Sequence, residues 1–227
     1  GDMVNNTLGP VRNSSETIFS IAVNNQDDDR RAQVEFYSIY PGQALINYPY
    51  LTNDLRELEK SGYIKMLVTT VEEIFPEKTD TRRVEFWKDL GKQKIDSMLV
   101  WDEEIGDFKQ EYIYSEYAFI NKWNKPYYST DQTVIEHLGG VAPLLVMEGD
   151  RVVWRLADLI LLRAECRARL KMATAKDDLD VIRERAGLGK YAGSGTADME
   201  ELRKEIFHER ERELFGEGQR YYDIVRN

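Results

Sequence analysis

Near the end of the chain, Glu209, Arg210, Glu213, Glu217, Arg220 and Asp223 alternate in sign at i, i+3 and i, i+4 separations. Acids and bases so spaced on one helix meet side by side. One reading is a solvated face of surface pairs. The sharper one is a partly buried network of Glu209, Glu213, Glu217 and Arg220 that fixes the last helix to the body. In such a network, removing one partner costs about 3–5 kcal/mol. Either way these groups build structure. General acid–base work on a glycosidic bond needs two carboxyl groups at a set distance in space, which no spacing in sequence defines.

Aromatic side chains are the second chemical resource. Of thirteen tyrosines, four tryptophans and eight phenylalanines, about half concentrate in two windows, Phe36 to Tyr50 and Phe108 to Tyr128. Tyr and Trp join a flat apolar face to a polar edge. They stack on the C–H face of a sugar while Asn, Asp or Arg neighbours satisfy its hydroxyls. In the first window Tyr37, Tyr40, Tyr48 and Tyr50 are broken up by Pro41, Gly42 and Pro49, as in an ordered loop. They are the candidate ligand-stacking residues, with exposure in a binding loop and packing against the body both open. The second window alternates as a half-buried sheet does, and most of its rings are expected there.

Other chemistries fail on spacing. Gly187-Leu188-Gly189-Lys190-Tyr191-Ala192 has the G-x-G-x-x-A pattern, but it follows a helix and not a strand, so it aims no helix N-terminus at a pyrophosphate. Gly91-Lys92 and Gly189-Lys190 lack the upstream glycine of a phosphate loop. Asp27-Asp28-Asp29 and Asp102-Glu103-Glu104 lack the alternation and glycine of a calcium loop and read as solvated acidic turns. With one cysteine and two histidines there is no zinc set and no internal disulfide, and Cys166 reads as core filling. No cofactor or metal is expected.

The elements that must position these residues follow from composition and period. The chain has 227 residues, 42% hydrophobic and 32% charged, with a formal charge of −10. It is long enough to bury a core. Residues 1–150 carry 15 Lys and Arg against 26 Asp and Glu, whereas 151–227 carry 16 against 15. That acidic field repels nucleic acid and anionic membrane surfaces. Gly1 to Pro10 lack a secretion signal's basic start and apolar run, which suggests a mature or truncated beginning.

Glu16 to Val23 predicts a buried strand, residues 52–62 a short helix, and 63–70, 83–87, 95–101 and 110–123 further strands. After Gly149 the period becomes helical. A helix over Val152–Leu170 carries the small-residue stripe Ala157, Leu161, Ala164, Ala168. A second, about 174–186, puts Ala175, Leu179, Ile182 and Ala186 on one face and stops at Gly187, the left-handed residue after a helix. A third begins near Thr196 or Asp198, with Glu201 at capping-box spacing and Met199, Leu202, Ile206 and Leu214 as its apolar edge.

Three of these segments resemble a known family. Trp154 to Glu165, Ile182 to Leu188 and Ile206 to Arg226 are similar to successive helix signatures of the SusD/RagB outer-membrane nutrient-binding lipoproteins of Bacteroidetes. Ser15 to Ile21 resembles the strand that opens that family's C-terminal half. Asp158 departs from the usual Glu, and residues 30–150 carry no family motif. The resemblance implies a mainly α fold with a minor loop-rich or β portion and tetratricopeptide-like helix pairs. It divides the chain into a loop-rich region, 1–150, and a helical region, 151–227, within one continuous domain. Members run to roughly twice this length.

The resemblance further implies a non-catalytic protein lipid-anchored at the outer-membrane surface. Its partners would be an oligosaccharide or polysaccharide and a SusC-like TonB-dependent transporter, with membrane contact only through an anchor absent from this chain. Arg155, Glu209, Arg210, Glu213, Glu217, Arg220 and Asp223 would be architectural. A peptide- or protein-binding module of the same fold is the alternative, and a hydrolase the third reading. If the N-terminal half is missing, the Ala157/Ala164/Ala168 stripe lacks cover, which predicts self-association or a packing partner.

Overall fold

A computed structural model describes residues 7–8, 14–21, 66–122, 127–129, 136, 144–146 and 151–227. Among these, nine short strands and six helices follow one another. The strands are β1 (Thr17–Ile21), β2 (Met66–Leu67), β3 (Trp87–Lys88), β4 (Lys94–Asp102), β5 (Asp107–Tyr114), β6 (Tyr117–Ile120), β7 (Tyr127–Ser129), β8 (Leu144–Val146) and β9 (Arg151–Arg155). The helices are α1 (Val68–Ile74), α2 (Arg82–Glu85), α3 (Leu156–Arg169), α4 (Ala175–Arg185), α5 (Met199–Glu213) and α6 (Arg220–Arg226). Among the described residues the strands form only small antiparallel sheets, β1-β9, β2-β6-β3, β4-β5 and β7-β8.

The core lies between α3, α4 and α5. Ala157, Leu161, Ala164 and Ala168 of α3 are fully buried against Ala175, Leu179 and Ile182 of α4 and Leu202 and Ile206 of α5. Small residues on α3 let its neighbours come close, which is why the stripe reads so cleanly. It is therefore already covered, and the expectation that it would lie open and drive self-association loses its basis. Helix α4 ends as its sequence predicts. Gly187 has φ +76, and the Leu188 N–H donates to Arg183 O at 2.9 Å while the Gly187 N–H donates to Glu184 O at 3.1 Å. This is a Schellman end. Asp198 caps α5 by accepting the Glu201 N–H at 3.0 Å.

A second apolar cluster, aromatic, joins the middle of the chain to the end of α5. Phe75 packs edge-on to Phe86 and Trp87, and Trp87 lies 4.9 Å from Phe215. Phe75, Phe86 and Trp87 are all at most 1% exposed.

Several expectations are corrected. The helix predicted from Val152 begins at Leu156, because Val152–Arg155 pairs with β1, Ser20 opposite Val152. Strand β1 is not buried: Ile18, Phe19 and Ile21 are each about half exposed. Residues 68–70 and 83–85 are helical, not extended. Cys166 is exposed and fills no core position. The helix expected at 52–62 lies outside the described residues.

Candidate ligand surface and a charged lock

The family-signature charges converge, but with partners the sequence did not suggest. Glu213, 1% exposed, accepts from Arg155 Nη1 at 2.6 Å, from Arg82 Nη1 at 3.2 Å and from Arg185. Arg155 also donates from Nε and Nη2 to the two Glu217 carboxylate oxygens at 2.7 and 2.8 Å, a bidentate pair. Arg82 reaches Glu209 at 2.7 Å and is held in turn by Asp80, at 2.9 and 2.8 Å. Lys122, wholly buried, donates to Glu213 O at 2.9 Å, to Phe215 O at 3.0 Å and to Glu217. Glu16 closes the group through Arg185.

Each of these partners comes from a different place: the residue before β1, the start of α2, the segment after β6, the β9–α3 junction and the last turn of α4. All meet on α5 and the turn after it. Arg220 does not belong there, contrary to expectation. It pairs with Glu211 at 2.8 Å and lies over the Phe207 ring, partly exposed. Arg210 instead bridges Asp223 and Asp158 at 2.8 and 2.7 Å, so the Asp at 158 ties α3 to α5.

The electrostatics suit a lock and not an acid–base pair. Burial opposes ionisation of Glu213, yet Arg155, Arg185, Arg82 and Lys122 outweigh it and hold the carboxyl below its ordinary range. Glu217 shifts the same way: burial works against ionisation, and Arg155 and Lys122 overcome it. Burial pulls the Lys122 ammonium down to about 8, with Glu217 working against it. A general acid at neutral pH needs a raised carboxyl pKa, the opposite of what Glu213 and Glu217 have. Among the described residues no group of His, Cys, Asp and Glu is arranged to hold a metal ion. No helix among them is long and apolar enough to cross a membrane.

The proposed stacking residues Tyr37, Tyr40, Tyr48 and Tyr50 lie outside the described residues. The second aromatic window departs from its expected half-buried sheet in β5, whereas Tyr117 in β6 is half-buried beside the buried Ala118 and Ile120. All eight residues of β5 are exposed, and β4 and β5 make their principal contacts with each other. Among the described residues the hairpin is a two-stranded ribbon with most of both faces exposed. Near its tip Trp101 and Phe108 pair edge to face at 5.3 Å. A second exposed pair, Phe19 and Trp154, sits on β1-β9 at 5.9 Å. In the β4–β5 turn Asp102 accepts the Glu104 N–H at 3.0 Å, as expected of a solvated acidic turn.

Asp80, Arg82, Lys122 and Arg185, with Glu16 before β1, are the residues that sequence reasoning missed. The first three lie in the stretch without a recognised motif, and their pairing distances along the chain leave no local signature. Arg185 lies inside the Ile182 to Leu188 signature, and its place at the end of an amphipathic helix was the available signal.

Among solved structures, the chain shares its fold with a SusD homologue from Bacteroides thetaiotaomicron, at TM-score 0.59 and 24% identity over 93% of this chain and 37% of that one. A SusD-like carbohydrate binding protein from Bacteroides vulgatus gives 0.53 and 20%, covering 93% and 34%. Surface glycan-binding protein A from Bacteroides thetaiotaomicron gives 0.54 and 18%, covering 99% and 44%. The chain thus spans well under half the length of these relatives. No curated protein matches the sequence. The SusD family profile matches residues 24–227. With its helical signatures gathered around one buried ion cluster, the chain belongs to the SusD family.

Proposed function

We propose that the chain is the C-terminal portion of a non-catalytic glycan-binding protein of the cell surface. It captures oligosaccharides for a TonB-dependent outer-membrane transporter, and a lipid anchor holds the protein to the outer membrane. The observation that carries this reading is the family match over residues 24–227. Two of the proteins that share the fold are named for carbohydrate or glycan binding. The pairing of Glu209, Glu213 and Glu217 supports a scaffold role for the signature acids, because each carboxylate is engaged by the guanidinium of Arg82 or Arg155 within the fold.

Ligand contact falls to flat rings. Tyr37, Tyr40, Tyr48 and Tyr50 form the leading contact set, in the proline-broken segment after β1. Titration calorimetry of Tyr40→Ala and Tyr48→Ala against amylopectin, xyloglucan, mannan and polygalacturonate tests it. Each variant should weaken binding of the polymer that the unmodified chain takes up. Undiminished binding by both discards these residues, and binding of a peptide mixture where every glycan is refused discards the glycan reading.

A further inference from the structure

We propose that one face of the β4–β5 ribbon is a second carbohydrate contact, suited to neutral oligosaccharides. This rests on the glycan-binding reading above and adds a site and a ligand class to it. Directly opposed residues of an antiparallel pair share a face. Ser97 stands opposite Tyr112, Leu99 opposite Gln110 and Trp101 opposite Phe108. These six uncharged residues therefore share one face of the ribbon, with the Lys94 ammonium over Tyr112 as the cation at the end away from the tip. The reverse face carries the charges, where Lys109 lies 3.9 Å from Asp102 and 3.6 Å from Glu111.

A strand segment of four residues rises about 13 Å, long enough for roughly two or three linked sugar rings. Trp101 and Phe108, 53% and 59% exposed, offer ring surface to a sugar's C–H face. The Gln110 amide donates to Ser97 Oγ at 3.0 Å, and its carbonyl oxygen and second N–H remain to meet hydroxyls. Lys94 lies 3.4 Å over the Tyr112 ring, so that ring is already covered and the stacking falls to the tip.

Charge decides the ligand class. Asp102, Glu103, Glu104 and Asp107 form the turn next to Trp101 and Phe108, and they repel uronate or sulfate groups brought onto the rings. The same acids disfavour a second copy of the chain, since two acidic turns and two chains of charge −10 would meet. An amide and a hydroxyl in the middle of the strip suit a ligand rich in hydroxyls better than an apolar helix.

The experiment is titration of the full chain, its Trp101→Ala/Phe108→Ala variant, Trp101→Phe and Tyr40→Ala/Tyr48→Ala, with the same four polysaccharides. Both ring positions are exposed, and circular dichroism checks that the fold is kept. The double hairpin variant should weaken binding of the neutral polymers by about tenfold, equivalent to ~1.4 kcal/mol. Trp101→Phe should retain most of the affinity, and polygalacturonate should bind much more weakly than the neutral polymers. Unchanged affinity in the double hairpin variant, alongside binding by the unmodified chain, overturns the second site and leaves the glycan-binding reading standing. Failure of the unmodified chain to bind any polymer overturns both. Equal binding of polygalacturonate overturns the neutral class. A dimer in light scattering that the double hairpin variant breaks, and that no glycan dissociates, overturns the site in favour of a second copy.

Discussion

Replacing Glu213 by Gln tests the charged lock at its centre. The substitution keeps the size of the side chain and one carbonyl oxygen. It also sets an amide NH2 where a carboxylate oxygen now accepts from a guanidinium, at 2.6 Å from Arg155 or 3.2 Å from Arg82. Donor then faces donor, and the cluster loses one negative charge in a site 1% exposed, while Arg155 keeps Glu217 and Arg82 keeps Asp80 and Glu209. Breaking a buried pair in this way costs about 3–5 kcal/mol. With total stability of a domain at ~5–15 kcal/mol, the loss is a large share of it. In urea, with a slope of ~2 kcal/mol per molar, the midpoint at pH 7 should fall by about 2 M.

The pH dependence gives a second reading of the same variant. The folded pKa of Glu213 lies below its ordinary value of 4.5. Its contribution is therefore fully present above 4.5 and is lost as pH falls toward the folded value. The amide introduced by Glu213→Gln has no such proton to take up, so the stability gap between the two proteins should narrow on acidification. The narrowing amounts to about 1.4 kcal/mol for each pH unit below 4.5. A gap under ~1 kcal/mol at pH 7, or one as wide at pH 3 as at pH 7, would refute the reasoning.

Two further outcomes follow from the same cluster. Lys122 has a folded pKa of about 8 against an ordinary 10.5, so the unfolded chain binds its proton more tightly and stability should rise with pH between those values. The rise is on the order of 3 kcal/mol. Lys122→Met should lack it, and identical urea midpoints versus pH for the two proteins between pH 8 and 10.5 would sink the assignment. Arg220→Ala should cost about 1 kcal/mol or less by urea unfolding, because its ion pair with Glu211 is partly exposed. A loss comparable to that of Glu213→Gln would return Arg220 to the lock.

How much of this was legible depended on how local the cause was. Helices α3, α4 and α5 could be read because an apolar stripe, a capping Asp198 and a terminal Gly187 all act within a few residues. Val152 and Val153 were absorbed into the following helix because their strand partner, β1, lies near the other end of the chain. Residues 68–70, the end of the strand expected at 63–70, fold instead as the start of α1, where burial of Val71 and Phe75 overrides propensity. The β4 and β5 segments were recognised as strands, but alternation alone does not say whether a sheet has a body behind it. Asp80, Arg82 and Lys122 were invisible for a simpler reason. The acids of the lock, Glu209, Glu213 and Glu217, lie far along the chain from them, 127 residues from Arg82 to Glu209 and 95 from Lys122 to Glu217, and an ion pair across that distance imposes no spacing.

The lock also answers a problem that the fold sets itself. Among the described residues the strands are short and the sheets small, so backbone pairing fixes little of the middle of the chain, and the face of α5 turned from Leu202 and Ile206 has few apolar groups to offer. A buried ion pair adds little net stability over a packed apolar pair, but it is directional. Glu213 can satisfy Arg82, Arg155 and Arg185 in one arrangement, and a shifted register would leave a buried charge alone at several kcal/mol. The cluster thus ties the entry to β1, α2, the strand end at Lys122 and the α3–α4 hairpin to one place on α5. On that account Glu213→Gln should lower the slope of the urea transition as well as its midpoint, because segments released from α5 would unfold ahead of the helical core. A lowered midpoint with the slope unchanged would mean that apolar packing alone keeps these segments in register.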